Sequence, residues 1–559
     1  MISGSSIPVR AKQSLSMKTR DGVRLDADVY FPEGEGPFPV LLMRQPYGRA
    51  IASTIVYAHP RWYAARGYIV AIQDARGRGS SAGRFELFAN EVEDGEDSVN
   101  WAAALPGSSG RVGMYGFSYQ GMTQLYAAQN RPAGLKAIAP AMTGYHLYED
   151  WAYEHDALCL QLGLTWAIQL AAETARIEGD RNTYRELLLA ARRLPLDEPV
   201  PAVPDVLAAV DSFFHDWVRR PAGDGYWRSL LPDLGRVSLP TFQVGGWFDP
   251  YLRGDLRLYH EMAARDSLSH QLWIGPWCHI PWSRKVGEVD FGAAAVSPID
   301  RLQLQWFDWV LKGKEPEGFP DSSQPVLSKD CSVSFFEMGR NEWRQWRQWP
   351  RSQGFEQVYF LQSEGLANIR EDDGRLLKVR PLASRLDMVV HDPWNPVPAL
   401  GGHSAIPAGS FERTAVDSRG DVLTYTSEPL ETEMRVAGAV EFWGAIATES
   451  ASYDLCVVLS RVNSAGVFNL TQGYRRVEDA REEGVGLKLH PTCFSLGAGD
   501  RLRVSISAAC FPAYPINPGT GEPSQMAHRA DARIISLAIA IGGEKAAKLC
   551  LPIVPTALD

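Results

Sequence analysis

The chain has 559 residues and a mass of 61.8 kDa, with 45% hydrophobic and 22% charged residues. This length exceeds one ordinary core of ~100–200 residues and predicts two or three domains, while the apolar fraction excludes a disordered or fibrous protein. The 66 Asp and Glu outnumber the 56 Lys and Arg, giving a net charge of −10. Nucleic acid and anionic membrane surfaces are therefore not expected partners.

The sequence also argues against a membrane anchor and a disulfide scaffold. No apolar run approaches the ~18–20 residues that span a bilayer, and residues 1–22 lack the apolar stretch of a secretory signal. The 7 cysteines are widely spaced and form no C-x-x-C pair. We expect a cytoplasmic protein without a metal or a cofactor. Whether it forms a homo-oligomer is left open by the sequence.

The first third of the chain alternates apolar runs with helical patterns. We predict helices over 92–103 and 119–129 and strands over 23–30, 39–45, 68–74, 111–117 and 135–142. In the first strand Val23, Leu25, Ala27 and Val29 share one face, whereas the next two are continuous apolar runs typical of buried parallel strands. This alternation predicts a doubly wound α/β sheet.

A helical block then interrupts the α/β pattern. Residues 145–238 are mostly helical in period and are divided by the Pro-rich segment 194–204. The α/β pattern resumes with strands over 239–249 and 270–276 that flank a helix over 252–264. An insertion of this kind caps a site, although a separate helical domain is the alternative.

The last part of the chain has a different pattern. Short alternating segments such as 433–446, 453–462 and 500–510 are separated by Gly, Asn, Asp and Pro. They predict an antiparallel sandwich or jelly roll. The predicted organisation is therefore an α/β core with an inserted cap and a C-terminal β-sandwich, divided as follows: core 1–144, helical cap 145–238, core 239–350 and jelly roll 351–559.

The sharpest motif is GFSYQG (116–121), in which a predicted strand leads through Ser118 into a helix. A nucleophile elbow needs small residues around a serine held in a strained strand-to-helix turn. The strict motif G-x-S-x-G would place glycine at position 120, where this chain has Gln120. A plain Gly-Ser turn is the alternative interpretation.

A serine nucleophile needs a base that is oriented by a third group. Asp249 ends one predicted strand and His279 follows the next, in the order Ser, Asp, His that α/β hydrolases use. Taken singly, Asp249 could cap a helix and His279 could be a core histidine. Cys278 is rejected as a nucleophile, because neighbours on an extended segment point to opposite sides.

Three motifs together resemble the cocaine esterase and X-Pro dipeptidyl-peptidase family of serine hydrolases: GFSYQG (116–121), GPWCH (275–279) and DARGRGSSAGRF (74–85). Further matches extend this resemblance through nearly the whole chain: 94–103, 391–402, 419–430 and 511–522. The resemblance implies an α/β-hydrolase core, a helical cap and a C-terminal jelly roll. It also implies that Ser118 is the nucleophile, Asp249 the orienting acid and His279 the base.

The resemblance further implies an oxyanion hole and an acyl pocket. The family has an oxyanion-donating tyrosine after its third strand, and RQPYG (44–48) places Tyr47 there to donate its hydroxyl, while Tyr119 would donate its backbone N–H. Trp151, Trp166 and Tyr251 would line the acyl site, where aromatic walls favour an apolar acyl group. The alternative for all four aromatic side chains is ordinary packing in a Trp-rich protein.

We interpret the chain as a serine hydrolase that cleaves a small-molecule carboxylic ester or amide through an acyl-enzyme on Ser118. Asp249 is followed by Pro250 and not by an acid that could hold a substrate ammonium, which disfavours an α-amino acid ester. An Xaa-Pro dipeptidyl peptidase or α-amino acid ester hydrolase stays open, because cap acids could bind an amine: Glu149, Asp150, Glu154 and Asp156. An acyltransferase that uses the same acyl-enzyme and a non-catalytic binding protein on the same fold stay open as well.

Overall fold

The computed structural model describes residues 6–50, 54–196, 203–265, 268–316, 326–328, 330–350, 354–481, 484–524 and 527–555. Its strands before residue 350 are β1 Gln13–Lys18, β2 Arg24–Tyr30, β3 Phe38–Gln45, β4 Ile69–Asp74, β5 Ser108–Phe117, β6 Leu135–Ala141, β7 Tyr153–Glu154, β8 Ala157–Leu158, β9 Thr241–Phe248, β10 His270–Cys278, β11 Lys285–Val286, β12 Val289–Asp290, β13 Val333–Glu337 and β14 Glu342–Trp346.

The helices of this part follow and interrupt the strands. They are α1 Pro60–Ala64, α2 Glu91–Ala103, α3 Tyr119–Gln129, α4 Leu160–Glu178, α5 Arg181–Arg192, α6 Asp205–Ala208, α7 Phe213–Arg219, α8 Gly225–Ser229, α9 Leu252–Arg265 and α10 Ile299–Lys312. A π-helical turn spans Leu147–Ala152, and 3-10 turns span Leu234–Arg236 and Ala293–Ala295. No described helix combines the length and the apolar character that a membrane crossing requires.

The core sheet has the order β1-β2-β4-β3-β5-β6-β9-β10-β13-β14. Its strands from β4 to β13 pair in parallel, whereas β1, β2 and β14 pair antiparallel at the two ends. The α/β-hydrolase core that the sequence predicts is confirmed. Because the carboxyl ends of parallel strands share one edge, the loops after β3, β5, β9 and β10 open on the same side of the sheet.

Strand β2 differs from its prediction. The alternating pattern predicts one buried face, but Leu25 to Tyr30 are all buried. The carboxylates of the second face are bonded to the paired strand β1: the Ser16 hydroxyl donates to Asp26 and the Ser14 hydroxyl to Asp28, each at 2.7 Å. A polar group that is buried away from water needs a hydrogen-bond partner, and these hydroxyls provide one for each carboxylate.

The cap is inserted between β6 and β9, as predicted, and contains the π-helical turn, the β7-β8 hairpin and helices α4 to α8. Helix α4 is its longest element and is amphipathic, with Leu164 and Ile168 buried against the rest of the cap and core. Most of the Pro-rich segment that the sequence places within the cap, 197–202, lies outside the described residues.

The C-terminal part is a β-sandwich. Its elements are β15 Phe355–Gln362, β16 Arg375–Leu377, β17 Arg385–His391, α11 Thr414–Asp417, β18 Leu423–Ser427, β19 Met434–Gly438, β20 Glu441–Gly444, β21 Ile446–Ala447, β22 Tyr453–Asn463, β23 Gly466–Val477, β24 Val485–Lys488, β25 Thr492–Leu496, β26 Arg501–Ser507, a 3-10 turn Arg529–Asp531, β27 Ile535–Ile541 and β28 Lys548–Ile553. Among the described residues they form an 11-stranded sheet and a 3-stranded sheet β17-β27-β21.

Candidate active site

Ser118 lies in the turn between β5 and α3 with φ 59° and ψ −129°, a conformation that an L-residue adopts only at a cost. The turn is closed by glycine at position 116, where φ is +142° and a Cβ would lie 2.4 Å from Cβ of Gln120. The serine is therefore held in the strained strand-to-helix turn that a nucleophile elbow requires.

The departure from the strict elbow motif has a structural reason. Gln120 stands where the motif has glycine, and its side-chain oxygen accepts a hydrogen bond from the Phe117 N–H at 3.2 Å. The glycine is needed one position later, because a Cβ on Gly121 would lie 2.6 Å from Cβ of Thr143. Thr143 in turn donates its hydroxyl to the Ser118 carbonyl at 2.8 Å. Thr143 directly follows the predicted strand 135–142, but no motif in the sequence indicates this hydrogen bond.

Asp249 and His279 form a pair at the ends of β9 and β10. The His279 Nδ1 and Asp249 Oδ1 are 2.7 Å apart, and the Asp249 carboxylate is fully buried. The Tyr251 N–H donates to the other carboxylate oxygen at 3.1 Å. The imidazole lies between the rings of Phe117 and Tyr251, at centroid distances of 5.3 and 5.1 Å. Its orientation is thus fixed from both sides and by a hydrogen bond.

Tyr47 follows β3 and points its hydroxyl at the same place. The Trp166 indole N–H donates to the Tyr47 oxygen at 3.1 Å, and the tyrosine hydroxyl also pairs with the Ser118 hydroxyl. Burial raises the pKa of Tyr47 to about 12. The group is therefore a protonated donor at neutral pH.

Tyr119 is the first residue of helix α3. A backbone N–H at this position has no partner within its own helix. The Tyr119 side chain has a separate, structural place: its hydroxyl donates to Glu91 Oε1 at 2.8 Å in the buried core.

These groups open on one cavity of about 670 Å³. Its lining includes Ser118, the candidate nucleophile, together with His279 and Tyr47. It also includes two of the predicted wall residues, Trp166 and Tyr251. The third predicted wall residue does not line the cavity: the Trp151 ring packs against the other two at a tilt, with centroids 5.2 Å from Trp166 and 4.5 Å from Tyr251, and it is 3% exposed.

No Asp or Glu of the described residues lines this cavity. Three of the four cap acids considered as amine anchors have cationic partners elsewhere, and the fourth, Asp156, does not line the cavity. Glu149 and Asp150 both pair with Arg257. Glu154 pairs with Arg253 at 3.0 Å and with His403 at 2.7 Å. The cavity is thus walled by apolar and neutral groups, with Lys285 as its one always-charged lining residue in the described chain.

Two other features of the sequence have no part in this site's chemistry. The Cys278 thiol donates to the Ile280 carbonyl at 3.1 Å, and burial raises its pKa to about 11, so it stays protonated. The glycine-rich segment 77–82 forms a tight loop, in which a Cβ on Gly79 would lie 2.0 Å from a carboxylate oxygen of Asp74. Within the described residues no group of three or more His, Cys, Asp or Glu side chains is arranged to hold a metal ion.

Comparison with known proteins agrees with this geometry. A family model described as X-Pro dipeptidyl-peptidase (S15 family) matches residues 21–281, and one for the X-Pro dipeptidyl-peptidase C-terminal non-catalytic domain matches 328–537. Cocaine esterase of Rhodococcus sp. (strain MB1 Bresler) is 29% identical over 90% of this chain and 91% of its own.

Solved structures of similar fold cover nearly the entire chain. An aminopeptidase from a marine sediment Thaumarchaeota archaeon has a TM-score of 0.81 at 22% identity, with 98% of this chain and 96% of that chain covered. An α-amino acid ester hydrolase has a TM-score of 0.76 at 21% identity, with 99% and 98% covered. At these identities the likeness establishes the fold alone.

The fold, the elbow serine and the family match define an α/β-hydrolase-fold serine hydrolase. The chain belongs to the cocaine esterase and X-Pro dipeptidyl-peptidase (CocE/NonD, S15-like) family.

Proposed function

We propose that this enzyme cleaves an uncharged, apolar carboxylic ester or amide through an acyl-enzyme on Ser118. The observation that carries the proposal is the arrangement at the cavity: Ser118 and His279 line it, and His279 is bonded at 2.7 Å to buried Asp249. A neutral imidazole held in this way serves as general base for a serine hydroxyl.

The steps follow from these positions. Ser118 Oγ attacks the substrate carbonyl carbon while His279 takes its proton, and Asp249 stabilises the resulting imidazolium. The Tyr47 hydroxyl and the Tyr119 N–H donate to the oxyanion. His279 then gives its proton to the departing alcohol or amine as the carbonyl–heteroatom bond breaks. In the second half, His279 takes a proton from water, which attacks the acyl group, and Ser118 regains its proton as the acid leaves.

The character of the cavity supports a substrate without a free amine. A buried ammonium is costly unless it is paired, and the described lining offers aromatic and aliphatic side chains but no carboxylate. Three acids of the cap, Glu149, Asp150 and Glu154, are already paired with arginines. An Xaa-Pro dipeptide or an α-amino acid ester would leave its charge without a partner here.

A pair of substrates tests the proposal. The p-nitrophenyl esters of phenylacetic acid and of phenylglycine share ring and leaving group and differ in the α-ammonium. We expect kcat/KM to be at least about tenfold higher for the neutral ester, measured below the pKa of the α-amine. A preference for the phenylglycyl ester would contradict the neutral pocket and indicate an amine anchor.

Ser118→Ala is the control for both substrates. Because nucleophile and base act as a unit, we expect kcat to fall by about 10⁴–10⁶-fold. Unchanged turnover in this variant, with a wild-type circular dichroism spectrum, would exclude Ser118 as the nucleophile.

A further inference from the structure

One wall of the cavity is supplied by the C-terminal sandwich. Residues 402–409, here called the wall loop, are closed at the base by two backbone hydrogen bonds, Gly402 N–H to Gly409 at 2.8 Å and Gly409 N–H to Gly402 at 2.9 Å. Between these glycines the chain extends over the cavity, and its lining residues are mostly apolar: His403, Ala405, Ile406, Pro407 and Ala408.

The tip of the wall loop is held by the cap. Gln161 on α4 accepts a hydrogen bond from the Ile406 N–H at 2.9 Å and donates its amide to the Ile406 carbonyl at 3.2 Å. One carboxamide thus bonds both backbone groups of one residue, as a neighbouring antiparallel strand would. Gln161 is 9% exposed, so its end of these partly buried hydrogen bonds has little contact with water.

The base of the wall loop is fixed by other contacts. His403 is bonded to Glu154 at 2.7 Å, and the Gln472 amide donates to the Ser404 hydroxyl at 2.9 Å. Gln161 therefore controls the tip and leaves the base anchored. The Ile406 side chain is 47% exposed even though its backbone is bonded on both sides, so it is available for contact with a bound molecule.

We propose that Gln161 is a specificity-determining positioning residue, which holds the apolar tip of the wall loop against the distal part of a long apolar substrate. This rests on the proposed esterase function. The candidate catalytic groups lie on loops of the core sheet, whereas the tip belongs to the C-terminal sandwich. If the tip is displaced, a substrate long enough to contact it consequently binds more weakly. The geometry of the reacting groups changes less.

The test compares p-nitrophenyl octanoate with p-nitrophenyl acetate in wild type and Gln161→Leu. Leucine keeps the side-chain size and removes both hydrogen bonds. We expect the octanoate-to-acetate ratio of kcat/KM to fall about fivefold or more, mainly through a higher KM for octanoate. The matched control is Gln357→Leu, the same replacement on strand β15, outside the cavity lining.

Ile406→Ala provides a second route if Gln161→Leu fails to fold. It should lower the same ratio, and the double variant should lose less than the sum of the two effects, because both act on one contact. The proposal would be overturned if kcat/KM changed by the same factor for both esters, or if the KM for octanoate stayed the same or fell. Failure of the esterase function itself has another signature, since wild type would then hydrolyse neither ester faster than Ser118→Ala.

Discussion

The hydroxyl of Tyr47 has two hydrogen-bond neighbours. The Trp166 indole N–H donates to the Tyr47 oxygen at 3.1 Å, and the Ser118 hydroxyl lies within hydrogen-bond reach of the same group. An indole N–H can only donate, so the bond from Trp166 leaves the Tyr47 hydrogen free for another acceptor. With the pKa of Tyr47 raised to about 12 by burial, the proton remains available through the alkaline range in which an ordinary tyrosine ionises.

Tyr47→Phe removes this donor and keeps the ring. We expect kcat for a neutral ester to fall by about 10²–10³-fold, the usual effect of losing one oxyanion donor in a water-poor site. The control is Tyr184→Phe on helix α5, which deletes a hydroxyl outside the cavity lining. A fall of less than tenfold, with unchanged unfolding, would assign the oxyanion to other donors.

Residues adjacent in sequence to a recognisable strand end could be placed from the sequence, and residues that act across the fold could not. Ser118, Asp249 and His279 each lie at or just after the end of a predicted strand, and parallel strands bring their carboxyl ends to one edge. Thr143 also follows a predicted strand, but nothing in the sequence indicates its hydrogen bond to the Ser118 carbonyl. Gln161 lies in a helix and has no strand end beside it. Gln161 meets its partner Ile406 across 245 residues, a contact set by tertiary packing alone.

At the scale of elements, the junction of β5, α3 and the loop after β6 depends on one small residue. Helix α3 approaches Thr143 so closely that position 121 has no room for a side chain. Thr143 is held on its far side by Asp255, which accepts from the Thr143 N–H at 2.9 Å, and by Trp151, which donates to its carbonyl at 2.6 Å. Thr143 is therefore restricted from moving away to make room for a side chain at position 121.

Gly121→Ala should overpack this junction. We expect the free energy of unfolding to fall by about 1–3 kcal/mol, and kcat to fall with it, because the clash is transmitted to the Ser118 carbonyl through Thr143. Urea denaturation and ester hydrolysis measure the two effects. Gly223→Ala is the matched control, since a Cβ there meets open space. Equal stability of the two variants would mean that α3 shifts freely.

Element types were easier to predict than element ends. Helix α3 spans Tyr119–Gln129 as predicted, and the strand before it begins at Ser108, three residues earlier than its apolar run indicates. The segment 433–446 is divided into three strands that belong to two different sheets. Alternation identifies a strand but not the sheet it joins, because pairing depends on partners far along the chain.

At the scale of the whole molecule, one buried carboxylate joins cap, core and sandwich. Glu154 of the cap accepts from Tyr514 at 2.6 Å, is bonded to His403 at 2.7 Å and pairs at 3.0 Å with Arg253 on core helix α9. Burial opposes its charge, yet Arg253 and the hydrogen bond from His403 outweigh burial and hold the pKa of Glu154 well below its ordinary value of 4.5.

Glu154→Gln leaves the half-buried Arg253 without this buried counter-charge, so we expect the free energy of unfolding to fall by about 3 kcal/mol near neutral pH. Because the folded-state pKa is lowered, the charge stabilises the fold fully above pH 4.5, the unfolded value, and progressively less as the pH falls below it. Urea titrations should therefore show a difference in unfolding free energy between wild type and variant that is widest above about pH 5 and narrows in acid.

The control is Glu441→Gln, which breaks an exposed ion pair with Lys488 and should cost no more than about 1 kcal/mol. If Glu154→Gln costs no more than this control, or if its cost grows in acid, then cap, core and sandwich are held together mainly by apolar packing.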